Sequence, residues 1–168
     1  LQNKKPLMEI LYAVKETAGD KPVFVKIAPD LEITQADDVI YVVNETGISG
    51  IIATNTTIFR EGLVTNMARL VDIGNGGLSG PILRGVATDI VKHIYRETNG
   101  ELPVIGVGGI SSAEDAYERI LAGASSVQLY TAFPYKGPSV ARDINLGLLK
   151  LLERDGYASI QEAVGKGN

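Results

Sequence analysis

Apolar residues along this chain follow two rhythms, short unbroken runs and longer stretches at helical spacing. Leu7, Ile10, Leu11 and Val14 recur at helical intervals, so residues 5–18 read as an amphipathic helix, with Pro6 in its first turn and Gly19-Asp20 at its end. Residues 22–27 form an apolar run closed by Pro29, which reads as a strand. A second helix is predicted over 34–46, capped by Thr34, apolar at Val39, Ile40, Val42 and Val43, and stopped by Gly47. Residues 50–54 are the next strand and run into the polar string Thr54-Asn55-Thr56-Thr57. Residues 58–80 have no period and contain Gly74, Gly76, Gly77 and Gly80. Loops this long in a compact domain are commonly functional or mobile. A helix over 84–98 carries Ile90, Val91, Ile94 and Tyr95 on one side. A strand at 103–107, a helix at 112–122 ended by Gly123, and a strand at 126–130 follow. Helices at 138–153 and 159–164 close the chain.

The order is a helix and then strand–helix four times over, which calls for a parallel sheet with right-handed crossovers. Two α/β architectures fit: a doubly wound open sheet, or the C-terminal half of a (β/α)8 TIM barrel, whose eight units usually take about 250 residues. The anion-type loops follow the last two strands, the usual phosphate position in such barrels, and this favours the half barrel. A half barrel leaves two sheet edges and one side of its core uncovered, so it is expected to need the other half from elsewhere. No composition shift divides residues 1–168, and a single domain is expected.

Composition narrows the function. At 168 residues, 45% hydrophobic and 21% charged, the sequence is that of a globular domain with a real core. A net charge of −4 without a basic run argues against a nucleic-acid partner. The absence of cysteine removes disulfide and thiolate chemistry. The chain starts at Leu1, so a fragment or a processed product is expected.

Candidate chemistry gathers at the strand ends. Val104-Ile105-Gly106-Val107 runs into Gly108-Gly109, and Ser111 with Glu114 three residues on has the form of a capping box. A strand, a glycine turn and a helix start with exposed amides would present N–H groups to a phosphate, unless the glycines serve sterics alone. Tyr130-Thr131, ending the next strand, could share that anion. Lys26, between Val25 and Ile27, either faces a polar centre or sits at a rim. Asp30 is its possible partner, but a loop-capping role is favoured. Asn55 between Thr54 and Thr56 suits a planar polar ligand, or ordinary turn chemistry. Gly76-Gly77-Leu78-Ser79-Gly80 would let backbone approach a ligand closely. His93, the only histidine, reads as a solvated helix position, and no metal-ligand spacing is present. These groups suit binding of a phosphorylated, electron-carrying cofactor better than acid–base work by the protein itself.

Five stretches in order carry a resemblance: Val25-Lys26-Ile27-Ala28-Pro29-Asp30-Leu31, Thr54-Asn55-Thr56-Thr57, Gly76-Gly77-Leu78-Ser79-Gly80, Gly106-Val107-Gly108-Gly109-Ile110-Ser111-Ser112 and Gln128-Leu129-Tyr130-Thr131-Ala132. Together they resemble the dihydroorotate dehydrogenases, most closely the class 2, quinone-linked enzymes, over that family's C-terminal half. Pro81 directly after Gly80 is instead a trait of the soluble class 1 enzymes. The resemblance implies an FMN flavoprotein of pyrimidine biosynthesis that oxidises dihydroorotate to orotate and passes electrons to a quinone. By that analogy Lys26 and Thr54 contact the flavin, and Asn55 and Thr56 hydrogen-bond the substrate. Gly80, Gly109, Tyr130 and Thr131 hold the ribityl chain and phosphate, with Ser79 and Gly108 in the same two turns. The catalytic serine, the N-terminal half of the barrel and the helices that make peripheral inner-membrane contact would lie before Leu1, so the isolated chain is expected to be inactive. The alternatives are another FMN-dependent barrel oxidoreductase and a non-catalytic half barrel.

Overall fold

A computed structural model describes residues 3–168. Its elements are helix α1 (Lys4–Ala18), strand β1 (Phe24–Ile27), α2 (Ile33–Thr46), β2 (Gly50–Ala53), α3 (Met67–Ile73), α4 (Arg84–Glu97), β3 (Val104–Val107), α5 (Ala113–Leu121), β4 (Ser126–Gln128), α6 (Ala132–Lys136), α7 (Val140–Asp155) and α8 (Ile160–Ala163). A single turn of 3-10 helix, Pro81–Leu83, leads into α4.

The four strands pair in parallel in the order β1-β2-β3-β4. A doubly wound sheet reverses its strand order at a switch point. Here sheet order equals chain order, so the structure is the half barrel. Side chains alternate across the sheet. Ile27, Ile51, Ala53 and Val104 sink into a core shared with Leu7, Leu11, Val39, Val42, Val43, Val91 and Ile94 of α1, α2 and α4. A second core joins α5 and α7 through Tyr117, Ile120, Ile144, Leu148 and Leu152, with Val127 and Leu129 packed against it. Each large aliphatic side chain fully buried in this way contributes about 1.5–3 kcal/mol. The other face carries Lys26, Ile52, Ile105 and Ser126, aligned in register across all four strands. Among the described residues no helix covers that face, and Lys26 and Ser126 are exposed on it.

Local chemistry moved several boundaries. In α2 the cap is Glu32 and not Thr34, because Gln35 reaches back to the Glu32 amide at 3.0 Å in a reciprocal capping box that starts the helix earlier. In α1, Ile10 and Val14 are exposed, since α1 packs chiefly on α2 and that one seam takes Leu7 and Leu11. Within the aperiodic segment, Asn66 caps the short helix α3, none of whose residues is buried. The fourth strand stops at Gln128, two residues short of the expected end, because the chain turns there into α6, a helix that the apolar pattern does not reveal. The following helix runs over 140–155 and ends at Gly156 in the left-handed region, where glycine carries no side-chain penalty. His93 is half-buried rather than solvated, and its Nε2 lies 2.7 Å from Asp37 Oδ1, joining α4 to α2.

Candidate functional site

The carboxyl ends of the four strands surround a cavity of about 460 Å³. Lys26, Thr54, Asn55, Thr56, Ser79, Gly80, Gly108, Gly109, Tyr130 and Thr131 all line it. Residues from five separate stretches of sequence therefore meet at one place.

The end of β2 is anchored from both sides. The Thr54 amide donates to the Val107 carbonyl at 2.8 Å, and the Asn55 amide to the Ile27 carbonyl at 2.7 Å. The Asn55 carboxamide oxygen accepts from the Thr56 amide at 2.9 Å, a local turn bond that leaves its NH2 group for the cavity. The turn bond therefore does not use up the side chain of this residue. Asp30 is a capping residue: it accepts from the Thr57 hydroxyl and, at 3.2 Å, from the Ile58 amide. Lys26 consequently has no ion-pair partner among the described residues, and its charge stands on the uncovered face of the sheet.

The Gly76–Gly80 loop is held over the strand ends by backbone bonds. Thr57 and Leu78 exchange two of them, at 3.0 and 2.7 Å, and the Thr131 hydroxyl donates to Ser79 Oγ at 2.8 Å. Gly77 stands where a Cβ would overlap the Thr56 hydroxyl, so only glycine lets the loop close this tightly.

The turn after β3 differs from the sequence expectation. Ser112, not Ser111, caps α5, and its box partner is Asp115, not Glu114. The Asp115 carboxylate reaches back over the helix start. Its Oδ2 accepts from the Ser111 amide at 2.9 Å, the Ser111 hydroxyl at 3.0 Å and the Ser112 amide at 3.0 Å, while Arg84 Nη1 lies 2.8 Å from Oδ1. The amides of Ser111 and Ser112, just before α5, are therefore already satisfied, as is that of Asp115, which donates to Ser112 Oγ at 3.2 Å. The open donors lie just upstream and across the cavity. The amides of Gly109, Ile110, Tyr130 and Thr131 donate to no protein acceptor among the described residues. Such a cluster, flanked by the Ser79 and Thr131 hydroxyls, matches the acceptor-rich surface of a phosphate. Val107, Ile110 and Leu129 supply apolar wall beside it. Tyr135 and Lys136 also line the cavity. Sequence reading passed over them because the short helix α6 that carries them has no period to detect.

Burial of the Asp115 carboxyl works against its ionisation, but the bonds from Ser111 and Ser112 and the Arg84 charge outweigh it, and the group is held below the ordinary 3.8. The stabilisation it supplies is complete above that value and is lost as acid protonates it. Asp115→Ala is expected to cost about 2–3 kcal/mol, the scale of hydrogen bonds to a charged group. It should also flatten the fall in urea midpoint as the pH drops below 4; an unchanged acid profile would remove Asp115 from this role.

Among the described residues no helix is long and apolar enough to cross a membrane. The family model described as Dihydroorotate dehydrogenase matches residues 1–152. The chain is 49% identical over 165 residues to the dihydroorotate dehydrogenase (quinone) of Natronomonas pharaonis, covering 98% of this chain and 45% of that protein. It is 47% identical over 173 residues to that of Trichodesmium erythraeum, covering 100% of this chain and 46% of the relative. The crystal structure of the Eimeria tenella enzyme with ferulenol superposes with a TM-score of 0.89 at 37% identity, over 99% of this chain and 49% of the other. The chain spans about half the length of these relatives.

Proposed function

The chain belongs to the dihydroorotate dehydrogenase family, and from that premise we propose that it supplies the C-terminal half of a site oxidising dihydroorotate to orotate, with FMN as hydride acceptor and a quinone as final electron acceptor. The observation that carries this reading is the convergence of five sequence segments on one cavity with a donor cluster at one end and a lone ammonium on its floor. The relatives are named as quinone-linked dihydroorotate dehydrogenases, which supports the substrate and the acceptor.

Bound FMN would take two electrons and a proton's worth of hydrogen from the substrate as hydride. The residues on this chain do the rest by placement. The free amides of Gly109, Ile110, Tyr130 and Thr131, with Ser79 and Gly80 opposite, fit the phosphate and the ribityl chain. Val107 and Leu129 offer an apolar wall for a ring system. Lys26 would offer a positive charge to the ring system, and Thr54 would border it. Asn55 and Thr56 present an amide and a hydroxyl to the planar polar substrate. The two serines of the cavity are already engaged, Ser79 with Thr131 and Ser111 with Asp115. The family resemblance places the base that removes the substrate proton in the N-terminal half of the barrel, which would also cover the bare face of the sheet and its edges. Any peripheral membrane contact is assigned to that half as well.

The test is a titration with FMN followed by its fluorescence, on the chain alone and mixed with the N-terminal half of the Natronomonas pharaonis relative. The mixture is expected to bind FMN and to lose its visible absorbance when dihydroorotate is added. Absence of flavin binding in both samples would refute the reading. In the same mixture Asn55→Ala is expected to weaken orotate about tenfold or more, the loss of one or two hydrogen bonds in a desolvated site. Undiminished orotate binding would point to a different substrate for the same cofactor site.

A further inference from the structure

A buried cation lies behind the Gly108–Gly109 turn. Arg119, on α5, is 0% exposed. Its stem crosses β3 at Gly106, where a Cβ would overlap the Arg119 Cγ. The guanidinium Nε donates to Thr88 Oγ1 at 3.1 Å, and Nη2 donates to the Arg84 carbonyl at 3.1 Å and the Gly108 carbonyl at 2.9 Å. Nη1 has no protein partner among the described residues. All three acceptors are neutral, and the nearby carboxylates of Asp115 and Glu118 pair with Arg84 instead. Burial pulls the Arg119 guanidinium down to about 10, which leaves it charged at neutral pH. A buried charge in direct contact with neutral acceptors only is costly, and an apolar side chain would fill the same space more cheaply.

The geometry of the turn gives that charge a use. The peptide joining Gly108 and Gly109 is trans, so its carbonyl and its N–H point in opposite directions. With the Gly108 carbonyl turned inward to Arg119, the Gly109 N–H is turned outward to the cavity. A hydrogen bond on the carbonyl also polarises the amide and strengthens its N–H as a donor. We propose that Arg119 is a positioning residue for the phosphate end of the site: through its charge-assisted bond to the Gly108 carbonyl it fixes the orientation of the Gly108–Gly109 peptide and strengthens its outward N–H. Arg119 touches no ligand. The inference rests on the flavin reading above and names the part of that site which distinguishes FMN from riboflavin, the same molecule without the phosphate.

The test is the ratio of the FMN and riboflavin affinities, measured by fluorescence titration on the preparation that binds flavin in the experiment above. Both ligands are titrated into each sample, so any unfolded fraction cancels in the ratio. Wild type is expected to prefer FMN. Arg119→Met is expected to lower that preference about tenfold, as for the loss of one charge-assisted interaction, with little change in riboflavin affinity. Arg119→Lys, which keeps the charge but loses the fork, should lie between the two, and decides by the same ratio if Arg119→Met does not fold. Thr88→Val removes the Nε acceptor and is expected to lower stability while leaving the preference intact. A ratio unchanged in the Arg119 variants would reduce Arg119 to a structural brace and leave the flavin reading standing. A wild type that binds flavin without preferring FMN, or binds neither ligand, would overturn both.

Discussion

Gly109→Ala is expected to abolish FMN binding and to cost roughly 2–6 kcal/mol of stability. Two independent penalties add. Gly109 has φ +73°, a conformation that costs a side-chain-bearing residue about 1–3 kcal/mol. A Cβ there would also stand 2.6 Å from the Arg84 amide nitrogen and 2.7 Å from its Cα, which are backbone atoms that cannot swing aside. The first turn of α4 would have to shift, an overpacking cost of about 1–3 kcal/mol. That shift moves the Arg84 carbonyl and the Gly108–Gly109 peptide together, because Arg119 bonds to both. Gly156→Ala is the control. Its φ is +77°, nearly the same, but nothing lies within 4 Å of its Cβ position. It should lose about 1–2 kcal/mol and bind FMN normally. Urea unfolding and flavin titration of both variants separate the terms, and a Gly109→Ala protein that binds FMN like wild type would remove the turn from the phosphate site.

The second large effect is at Lys26. Lys26→Ala is expected to lower the rate of dihydroorotate oxidation in the reconstituted enzyme by about 10²–10³, the usual loss when one preorganised group facing developing charge is removed. The expectation follows from the pairing pattern. Asp30 is committed to Thr57 and Ile58, so the Lys26 ammonium is not neutralised locally and its field falls on the cavity. Lys26→Gln, which retains a polar side chain without the charge, should be nearly as slow. Orotate affinity should change far less than the rate, since Asn55 and Thr56 are untouched. A rate within a few-fold of wild type in both variants would mean that Lys26 only lines the site.

Much of this protein is written in its sequence because it depends on local periodicity and on residues with few conformational uses. The four expected strands all formed, and the central pair β2 and β3, each paired on both sides, carry the most continuous apolar runs. Glycine at 77, 80, 108 and 109 marked backbone that approaches other groups too closely for a side chain or runs at positive φ. The capping role favoured for Asp30 also holds, although its donors, Thr57 and Ile58, come from a distant loop. Helix starts were less legible, because a cap is chosen by which side chain reaches which amide. Glu32 with Gln35 and Ser112 with Asp115 won over Thr34 and over Ser111 with Glu114 on that basis alone.

What the tertiary structure decided is everything that depends on distant segments meeting. Strand order equal to chain order excluded the doubly wound sheet, a choice that βα alternation leaves open. Local packing also decided that Asp115 takes up the Ser111 and Ser112 amides, while those of Gly109, Ile110, Tyr130 and Thr131 donate to no protein acceptor among the described residues. Arg119 shows the limit most plainly. In sequence it is one of several charged residues in a helical stretch, with nothing to single it out. Only the passage of α5 across Gly106, where the absence of a side chain opens a channel to the Gly108 carbonyl, makes it a buried charge behind the site. Periodicity determines which face of a segment is apolar, but the partner a long polar side chain finds is set by the space its neighbours leave.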